Sequence, residues 1–248
     1  MTPQEEAKAL VRLLWRAESE SASPRRGPKQ RFTVDEVVTE AVALADADGL
    51  AAVTVRTLAR RIGIGAMSVY TYVPTRDVLV ALMVDAVAVD RGVPAPGATV
   101  RQSLAATARD LRAEYLEHPW LLEVSQWRDT LGPGRLRRYE AQLAAVDELP
   151  VDDVERDALI TLVESFAAGS ARAAVGARVA STGAMTDRQW WDVVGPELAA
   201  VMPDGRFPLA SRVGTAVGER YGAPGSGIDG FEMGLAVLLD GIEGRIRR

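Results

Sequence analysis

The sequence predicts an all-α protein with a small N-terminal domain and a larger helical domain after it. Apolar residues recur at intervals of three and four along most of the chain, which is the period of an amphipathic helix. Strand-type alternation of apolar and polar residues does not extend convincingly beyond four residues. Thr followed three residues later by Glu or Gln recurs ahead of apolar runs, which is typical of a capped helix start.

Length and composition exclude several functional classes. With 248 residues, 48% of them hydrophobic, the chain can bury a sizeable core. The absence of cysteine excludes disulfides, thiol catalysis and cysteine-based zinc sites, and the one histidine, His118, leaves no pair for a histidine metal site. We therefore expect no metal and no cofactor. The acidic start of the chain and the lack of a long uncharged apolar run predict a soluble, cytoplasmic protein with no membrane span.

The first 31 residues predict a helix followed by a basic linker. Apolar spacing favours a short amphipathic helix over 4–17. The segment 19–30 is polar and interrupted by Pro24 and Pro28, which is typical of a linker.

Four helices are predicted between residues 32 and 90. Thr33 with Glu36 forms a capping box, and further threonines precede the second and fourth helices. Glycines end the first two helices, and Pro74 ends the third. The predicted bounds are 33–49, 55–62, 66–73 and 76–90. The apolar stripe of the fourth helix comprises Leu79, Leu82, Met83 and Ala86.

The rest of the chain predicts a larger helical domain, which begins after a break rich in proline and glycine at 92–97. Apolar stripes predict helices over 104–115, 136–146 and 153–180, one after the Thr186 cap, and a last one over 231–242, for nine or ten helices in all. The stripe of 136–146 comprises Leu136, Tyr139, Leu143 and Val146. The predicted domains are an N-terminal helix and arm (1–31), a small domain (32–76), and a larger domain (77–248) that follows the connecting helix 76–90.

Charge is distributed unevenly along the chain. Residues 21–76 carry eight basic and five acidic residues, whereas 77–248 carry 18 basic and 25 acidic residues. Between Asp48 and Asp77 there are four arginines and no acidic residue. A basic segment before an acidic body is typical of a nucleic-acid module joined to a second domain.

The segment 54–73 predicts a helix-turn-helix, because a helix of two turns, a glycine turn and a short second helix follow one another. Leu58, Ile62, Val69 and Val73 are expected to pack the two helices together, and Ala59 is small enough for their close crossing. Ser68, Tyr70, Thr71 and Tyr72 then form a polar and aromatic face on the second helix. Such a face suits the major groove of DNA.

The stretch 32–86 resembles the DNA-binding domain of the tetracycline-repressor (TetR) family of bacterial transcription regulators. The matching features are the helix before Gly49, the run that begins at Thr54, the Gly63 turn, and the continuation after Pro74. The segment around His118 and Trp120, the Trp127–Arg128 pair and the long helix 153–180 are similar to the effector domain of the subgroup that contains the tetracycline repressor itself.

This resemblance implies a homodimer that binds a palindromic double-stranded DNA operator and leaves it when a small molecule moves the connecting helix. The long helix 153–180 and the final helix would form the dimer interface. The residues that the resemblance assigns to DNA are Arg56, Ala66, Met67, Ser68, Tyr70, Thr71, Tyr72 and Arg76. Ala66 and Met67 cannot make bidentate bonds to a base, so we expect apolar and shape readout there. The arm, Arg25, Arg26, Lys29 and Arg31, would enter a minor groove or else remain a solvated tail.

We expect a largely apolar effector, because ligand sites are mostly apolar walls with a few polar groups. The proposed contacts are Trp120, Leu122, Ser125, Trp127, Arg128, Tyr139 and Phe166, with Trp190, Trp191 and Met202 as weaker candidates. Any one of these aromatics is better explained as core, and only the cluster as a whole indicates a ligand site. Tetracycline itself is not expected, because aligning on His118 puts Ser125 where the tetracycline repressor has a histidine that holds the drug's magnesium.

Two other interpretations are considered. Residues 225–230 match a dinucleotide-binding pattern by letter, but no strand precedes them, so we expect a flexible loop. No nucleophile–base pair is recognisable, and we expect no enzyme. The alternatives to a ligand-released repressor are a regulator that activates or needs no effector, and an all-α small-molecule-binding protein without an operator.

Overall fold

The computed structural model describes residues 2–20, 31–88, 97–125, 131–181, 183, 185–202, 205–222, 225 and 229–246. These residues form twelve α-helices and two 3₁₀ turns, and no strand. The α-helices are α1 (Pro3–Leu14), α2 (Arg16–Glu20), α3 (Val34–Asp48), α4 (Val55–Ile62), α5 (Ala66–Val69), α6 (Arg76–Val87), α7 (Val100–Glu117), α8 (Pro133–Val146), α9 (Asp153–Ser181), α10 (Asp187–Val201), α11 (Pro208–Tyr221) and α12 (Asp229–Ile246). The 3₁₀ turns are Leu50–Ala52 and Pro119–Glu123.

The all-α prediction is confirmed, and the expected number of helices was too low. The predicted helix over 4–17 is divided by a bend at Trp15 into α1 and α2. Helix α11 was not predicted, although Pro208 at its start and Gly222 in the left-handed region after its end (φ 60°) are the usual signals of a helix.

Contacts divide the chain into two compact units, Met1–Glu164 and Ser165–Arg248. The first unit contains α1–α8 and the beginning of α9, and the second contains the remainder of α9 with α10–α12. The functional boundaries at residues 31 and 76 remain predictions.

The core of the small domain agrees with the sequence pattern. Leu58, Ile62, Val69 and Val73 are buried as predicted, and Ala59 lies at the crossing with 3% of its surface exposed. Helix α6 differs in one position, because Ala86 is exposed and the neighbouring Asp85 is buried. Asp85 is retained in the core because it accepts hydrogen bonds from backbone N–H groups at the start of α8.

Helix α8 buries only part of the predicted stripe, since Val146 is fully buried but Tyr139 and Leu143 are half-buried. Leu136 is 36% exposed, and the buried residues include Arg138 and Gln142 instead. The apolar stripe was misleading because both polar side chains find partners inside the unit. Arg138 forms an ion pair with Glu114 of α7, and the Gln142 amide donates to Glu164 of α9 at 3.1 Å.

In the second unit, α12 buries most of its predicted apolar stripe. Phe231, Leu235 and Ile242 are buried as predicted, while Leu238 is half-buried and Leu239 is buried.

By length and mean hydropathy, the stretch Asp153–Val179 of α9 is the one described segment long and apolar enough to cross a membrane. Core helices of soluble proteins have the same length and hydropathy.

Candidate nucleic-acid interface and effector site

The segment 63–72 carries the residues that the resemblance assigns to the major groove, and it is here called the reading segment. It comprises the turn after α4, helix α5 and the turn that follows. Gly63 adopts φ 71°, a left-handed conformation that glycine reaches at little cost, so α4 ends there. After α5, the Thr71 N–H donates to the Ser68 carbonyl at 3.2 Å, and the Tyr72 N–H donates to the Val69 carbonyl at 3.0 Å. The segment therefore continues as tight turns up to Val73, and the regular helix is shorter than the predicted 66–73.

One side of this segment is open to solvent. Ala66, Ser68 and Thr71 are exposed, and the side chains of Met67 and Tyr70 are 79% and 47% exposed. The Thr71 hydroxyl donates to the Ser68 carbonyl at 2.7 Å, which leaves its oxygen lone pairs to accept a bond from outside. This face can offer methyl, thioether and ring carbons together with hydroxyl groups.

Tyr72 does not lie on that exposed face, and the expectation that it does is wrong. Only 7% of its surface is exposed. Tyr72 follows the fully buried Val69 by three residues through an i→i+3 hydrogen bond, and in such a turn the two side chains lie on the same side.

The two arginines assigned to phosphates have different surroundings. Arg56 is exposed in the first turn of α4. Arg76 is also exposed, but its guanidinium donates to the carbonyls of Val53 at 2.9 Å and Leu50 at 2.8 Å. Arg76 therefore holds the 3₁₀ turn Leu50–Ala52 against the start of α6, and only its remaining N–H groups could reach DNA.

The end of the basic arm lies beside the helix-turn-helix turn. Arg31 donates to the Gly63 carbonyl at 3.1 Å, and its guanidinium carbon lies 5.5 Å from the centre of the Phe32 ring. Arg25, Arg26 and Lys29 lie outside the described residues.

Trp120, proposed as an effector contact, is anchored to the small domain. Its ring is buried (1% exposed), and its indole N–H donates to the Asp46 carboxylate at the end of α3, at 2.8 Å. His118 Nδ1 lies 2.7 Å from the same carboxylate oxygen. Leu122 is half-buried and Ser125 is exposed, whereas Trp127 and Arg128 lie outside the described residues.

The other proposed effector contacts take part in helix packing. The Tyr139 hydroxyl donates to Asp157 of α9 at 2.7 Å. In the second unit, Phe166 stacks on Phe231 with ring centres 5.5 Å apart and an angle of 19° between the planes. The structure thus gives both aromatics a packing partner, and their contact with an effector stays a prediction.

The weaker effector candidates lie in the second unit but are not buried, since Trp190 is 43% exposed and Trp191 and Met202 are half-buried. The rings of Trp190 and Trp191 lie 6.2 Å apart, and the Trp191 indole covers the backbone of Gly218 on α11 so closely that no Cβ would fit there. Met202 Sδ lies 3.9 Å from the Ser211 hydroxyl.

A buried polar cluster between α7, α8 and α9 was not predicted from the sequence. It contains the Arg138–Glu114 ion pair, the Gln142–Glu164 hydrogen bond and Tyr115. Burial raises the pKa of the Tyr115 phenol above its usual value, and the Glu164 carboxylate raises it further. The Arg138 Nε is buried without a hydrogen-bond partner. The i, i+4 spacing of Arg138, Gln142 and Val146 could have indicated this cluster only if partners on distant helices were known.

Comparison with known proteins relates both parts of the chain to one group. The family profile described as "Tetracyclin repressor-like, C-terminal domain" matches residues 93–246. A protein of Streptomyces coeruleorubidus named HTH-type transcriptional repressor DrrR1 is 35% identical over 237 residues, which cover 94% of this chain and 84% of that protein.

Two solved structures have the same fold. The TetR family protein ActR of Streptomyces coelicolor, in complex with actinorhodin, is 24% identical with a TM-score of 0.71, and the match covers 88% of this chain and 100% of the other. A single-residue variant of TetR from Acinetobacter baumannii AYE, in complex with minocycline, is 15% identical with a TM-score of 0.58, and the match covers 88% and 99% of the two chains.

Proposed function

Because the chain belongs to the tetracycline-repressor family of transcriptional regulators, we propose that it is a repressor that a small molecule releases from a palindromic operator. The observation that carries the proposal is the exposed face of residues 66–71, which follows a glycine turn at the end of an arginine-rich helix. A regulator of this kind acts on DNA in the cytoplasm and catalyses no reaction.

The exposed face would read bases by shape and apolar contact. Met67 and Tyr70 can meet thymine methyl groups, and the Ser68 and Thr71 hydroxyls can bond base edges or phosphates. Ala66, at the start of α5, permits close approach to the groove. Arg56 would bind a phosphate and set the register without reading sequence. Tyr72 and Arg76 would act chiefly by holding this segment in place.

Binding to the DNA upstream of the protein's own gene, followed by fluorescence anisotropy with competitor DNA, tests this proposal. Arg56→Ala should weaken binding to every sequence alike and reduce the slope of log K against log salt by about 1.8, the value for two lost phosphate contacts, one from each subunit. Met67→Ala should instead change the preferred sequence, whereas Met185→Ala, an equal change at another exposed methionine, should not. Binding that never saturates and yields to any competitor would favour a small-molecule-binding protein without an operator.

The arm, Arg25, Arg26, Lys29 and Arg31, would add contacts in an adjacent minor groove. The Arg31 bond to the Gly63 carbonyl supports this, because it brings the end of the arm beside the reading segment. Replacing Arg25, Arg26 and Lys29 together with alanine should lower both affinity and salt slope. Replacing the exposed Arg206, Arg212 and Arg220 of the second unit is the control with the same loss of charge. If the two triple variants had the same affinity and the same salt slope, the arm would be a solvated tail that does not contact DNA.

The effector would be largely apolar and contact Trp120, Leu122, Ser125, Trp127, Arg128, Tyr139 and Phe166. Thermal shift with a compound library tests this, since ligand at 100 times Kd stabilises the folded state by about 2.7 kcal/mol. Actinorhodin, which a protein of the same fold binds, is a suitable first compound. Minocycline with magnesium should give no shift, because Ser125 cannot replace a histidine ligand. If no compound that stabilises the protein reduces operator binding, a regulator that needs no effector is favoured.

The regulator would act as a homodimer through α9 and α12. Small residues in α9, such as Gly169 and Gly176, have no atom within 4 Å of an added Cβ, so a second helix can approach there. A twofold dimer would present its two reading segments to successive major grooves, about 34–36 Å apart.

A further inference from the structure

Helices α1 and α2, here called the N-terminal helix pair, lie before the helix-turn-helix and contact the two helices that flank it, α3 and α6. Helix α1 begins with a complete capping box, in which Thr2 N–H donates to Glu5 at 2.7 Å. Hydrogen bonds from the Thr2 N–H and hydroxyl lower the pKa of the Glu5 carboxyl, so this cap is intact at neutral pH. At the other end of α1, Leu14 is 3% exposed. The helix packs along α6.

The first contact of the pair is with the residue that begins α6. The Thr75 hydroxyl donates to the Glu6 carboxylate at 2.5 Å, and the same hydroxyl oxygen accepts the N–H of Val78 at 3.2 Å as the N-cap of α6. Glu6 therefore orients the cap that fixes the start of α6. Only Val73 and Pro74 separate Thr75 from the end of the reading segment at Tyr72.

The far end of the pair is fixed at two other places. Arg16 forms an ion pair with Asp35 in the first turn of α3, and it also donates to the Leu13 carbonyl at 2.6 Å, which holds the bend between α1 and α2. The indole N–H of Trp15 donates to the Leu131 carbonyl, just before α8, at 2.9 Å. The pair is thus attached to the first helix of the small domain, to the start of α6 and to the larger domain.

The acidic first turn of α1 argues against direct contact of Glu6 with DNA, although Lys8 and Arg12 balance its charge further along the helix. Its first turn carries Glu5 and Glu6, and two carboxylates near a phosphate backbone would repel it. We therefore expect any favourable effect of Glu6 on DNA binding to pass through its contact with Thr75.

We propose that the N-terminal helix pair positions the reading segment for DNA, with Glu6 as the positioning residue that acts through Thr75. The pair fixes the angle at which the chain leaves Tyr72 and enters α6, so the exposed face of 66–71 is presented in one orientation. This inference rests on the proposed binding of operator DNA.

Operator affinity of Glu6 variants, measured over a range of salt concentrations, tests the proposal. Glu6→Ala removes the acceptor for Thr75 in both subunits and should raise the operator Kd about three- to tenfold, because DNA binding must then restore the orientation that these hydrogen bonds provide beforehand. The salt slope should stay unchanged, because no phosphate contact is lost. Glu6→Gln keeps an acceptor oxygen and should restore the Kd to within about twofold of the wild-type value.

Glu18→Ala is the matched control, because it removes one exposed negative charge from the first turn of α2. Equal Kd values for Glu6→Ala and Glu18→Ala, or a changed salt slope in Glu6→Ala, would overturn the proposal. Titration of each variant at a DNA concentration far above Kd gives the fraction of the protein that can bind DNA. If the difference in Kd disappears after correction for this fraction, the proposal is also overturned.

Amide hydrogen exchange separates this proposal from the proposed function. The amides of Val78 and Leu79, which bond to Thr75 at the start of α6, should exchange faster in Glu6→Ala than in Glu18→Ala. Unchanged exchange there would contradict the positioning role even in a protein that binds its operator. Failure of the wild-type protein to bind specific DNA would contradict the proposed function, whatever the exchange shows.

Discussion

Single carboxylates connect helices that are distant in sequence. Asp46, at the end of α3, accepts from both His118 and Trp120 of the segment after α7. Asp85 of α6 accepts from the N–H groups of Gly134 at 3.3 Å and Arg135 at 2.9 Å at the start of α8. A carboxylate can do this because its two oxygens accept several bonds at once. The first helix of the small domain and the connecting helix are thereby each attached to the larger domain by a specific polar contact.

Removing the Asp46 carboxylate should destabilise the protein. Asp46→Ala leaves the indole N–H of the buried Trp120 without an acceptor, which should lower the free energy of unfolding by about 1–3 kcal/mol. Asp48→Ala, two residues further along the same helix end and exposed, should change it by no more than about 0.5 kcal/mol. Urea denaturation of both variants measures the difference. Equal stability of the two would mean that Trp120 finds another acceptor.

Tyr115 should make stability depend on alkaline pH. Burial, and then the Glu164 carboxylate, raise the pKa of Tyr115 in the folded state, so the unfolded chain loses this proton first. The contribution of Tyr115 to the free energy of unfolding is fully present below about pH 10, which is its pKa in the unfolded chain. That contribution is lost as the pH rises through its pKa in the folded state. Tyr115→Phe should therefore flatten the decline in unfolding free energy above about pH 10, whereas Tyr70→Phe, at an exposed ring, should not. Parallel declines in wild type and Tyr115→Phe would contradict this assignment.

At the scale of helices, local signals predicted most starts and stops, and contacts between distant segments determined the rest. Thr33, Thr54 and Thr75 each cap a helix as their sequence context indicates, because a cap needs only residues within one turn. The burial of Asp85 and Arg138 could not be predicted in this way, since their partners are 24 or more residues away. Tyr72 was misplaced for a local reason, the tightening of the chain after α5.

Packing of α11 on α10 should depend on one glycine. A Cβ at Gly218 would collide with the Trp191 indole nitrogen, and a large ring cannot yield without moving its helix. Gly218→Ala should therefore destabilise the protein by about 1–3 kcal/mol. Gly214→Ala, in the same helix with nothing within 4 Å of the added carbon, should instead stabilise it by up to about 1 kcal/mol. Thermal unfolding followed by circular dichroism would show shifts of opposite sign, and a stabilising Gly218→Ala would contradict the observed packing.

At the scale of the molecule, charge and apolar surface are separated along the chain. Residues 21–76 carry a net charge of +3, and residues 77–248 carry −7. An acidic body is repelled by DNA, so the molecule should approach the duplex with its basic segment first. The apolar surface that remains exposed is concentrated in the C-terminal half, where Met233 is 65% and Val237 is 63% exposed, one turn apart on α12. Such a stripe on a helix is typical of an interface between subunits.

Disrupting this stripe should therefore weaken operator binding strongly without unfolding the chain. Val237→Asp places a charge where two copies of α12 would meet, and because the side chain is already exposed in one chain, the helical content should not change. Sedimentation should show single chains in place of dimers, and operator affinity should fall at least about a hundredfold, because each chain then holds one half-site without the gain from linkage. Val237→Leu, which remains apolar, should keep both properties. If Val237→Asp remained dimeric, the contact between subunits would lie elsewhere. If it bound the whole operator normally as a single chain, the twofold arrangement of reading segments would be wrong.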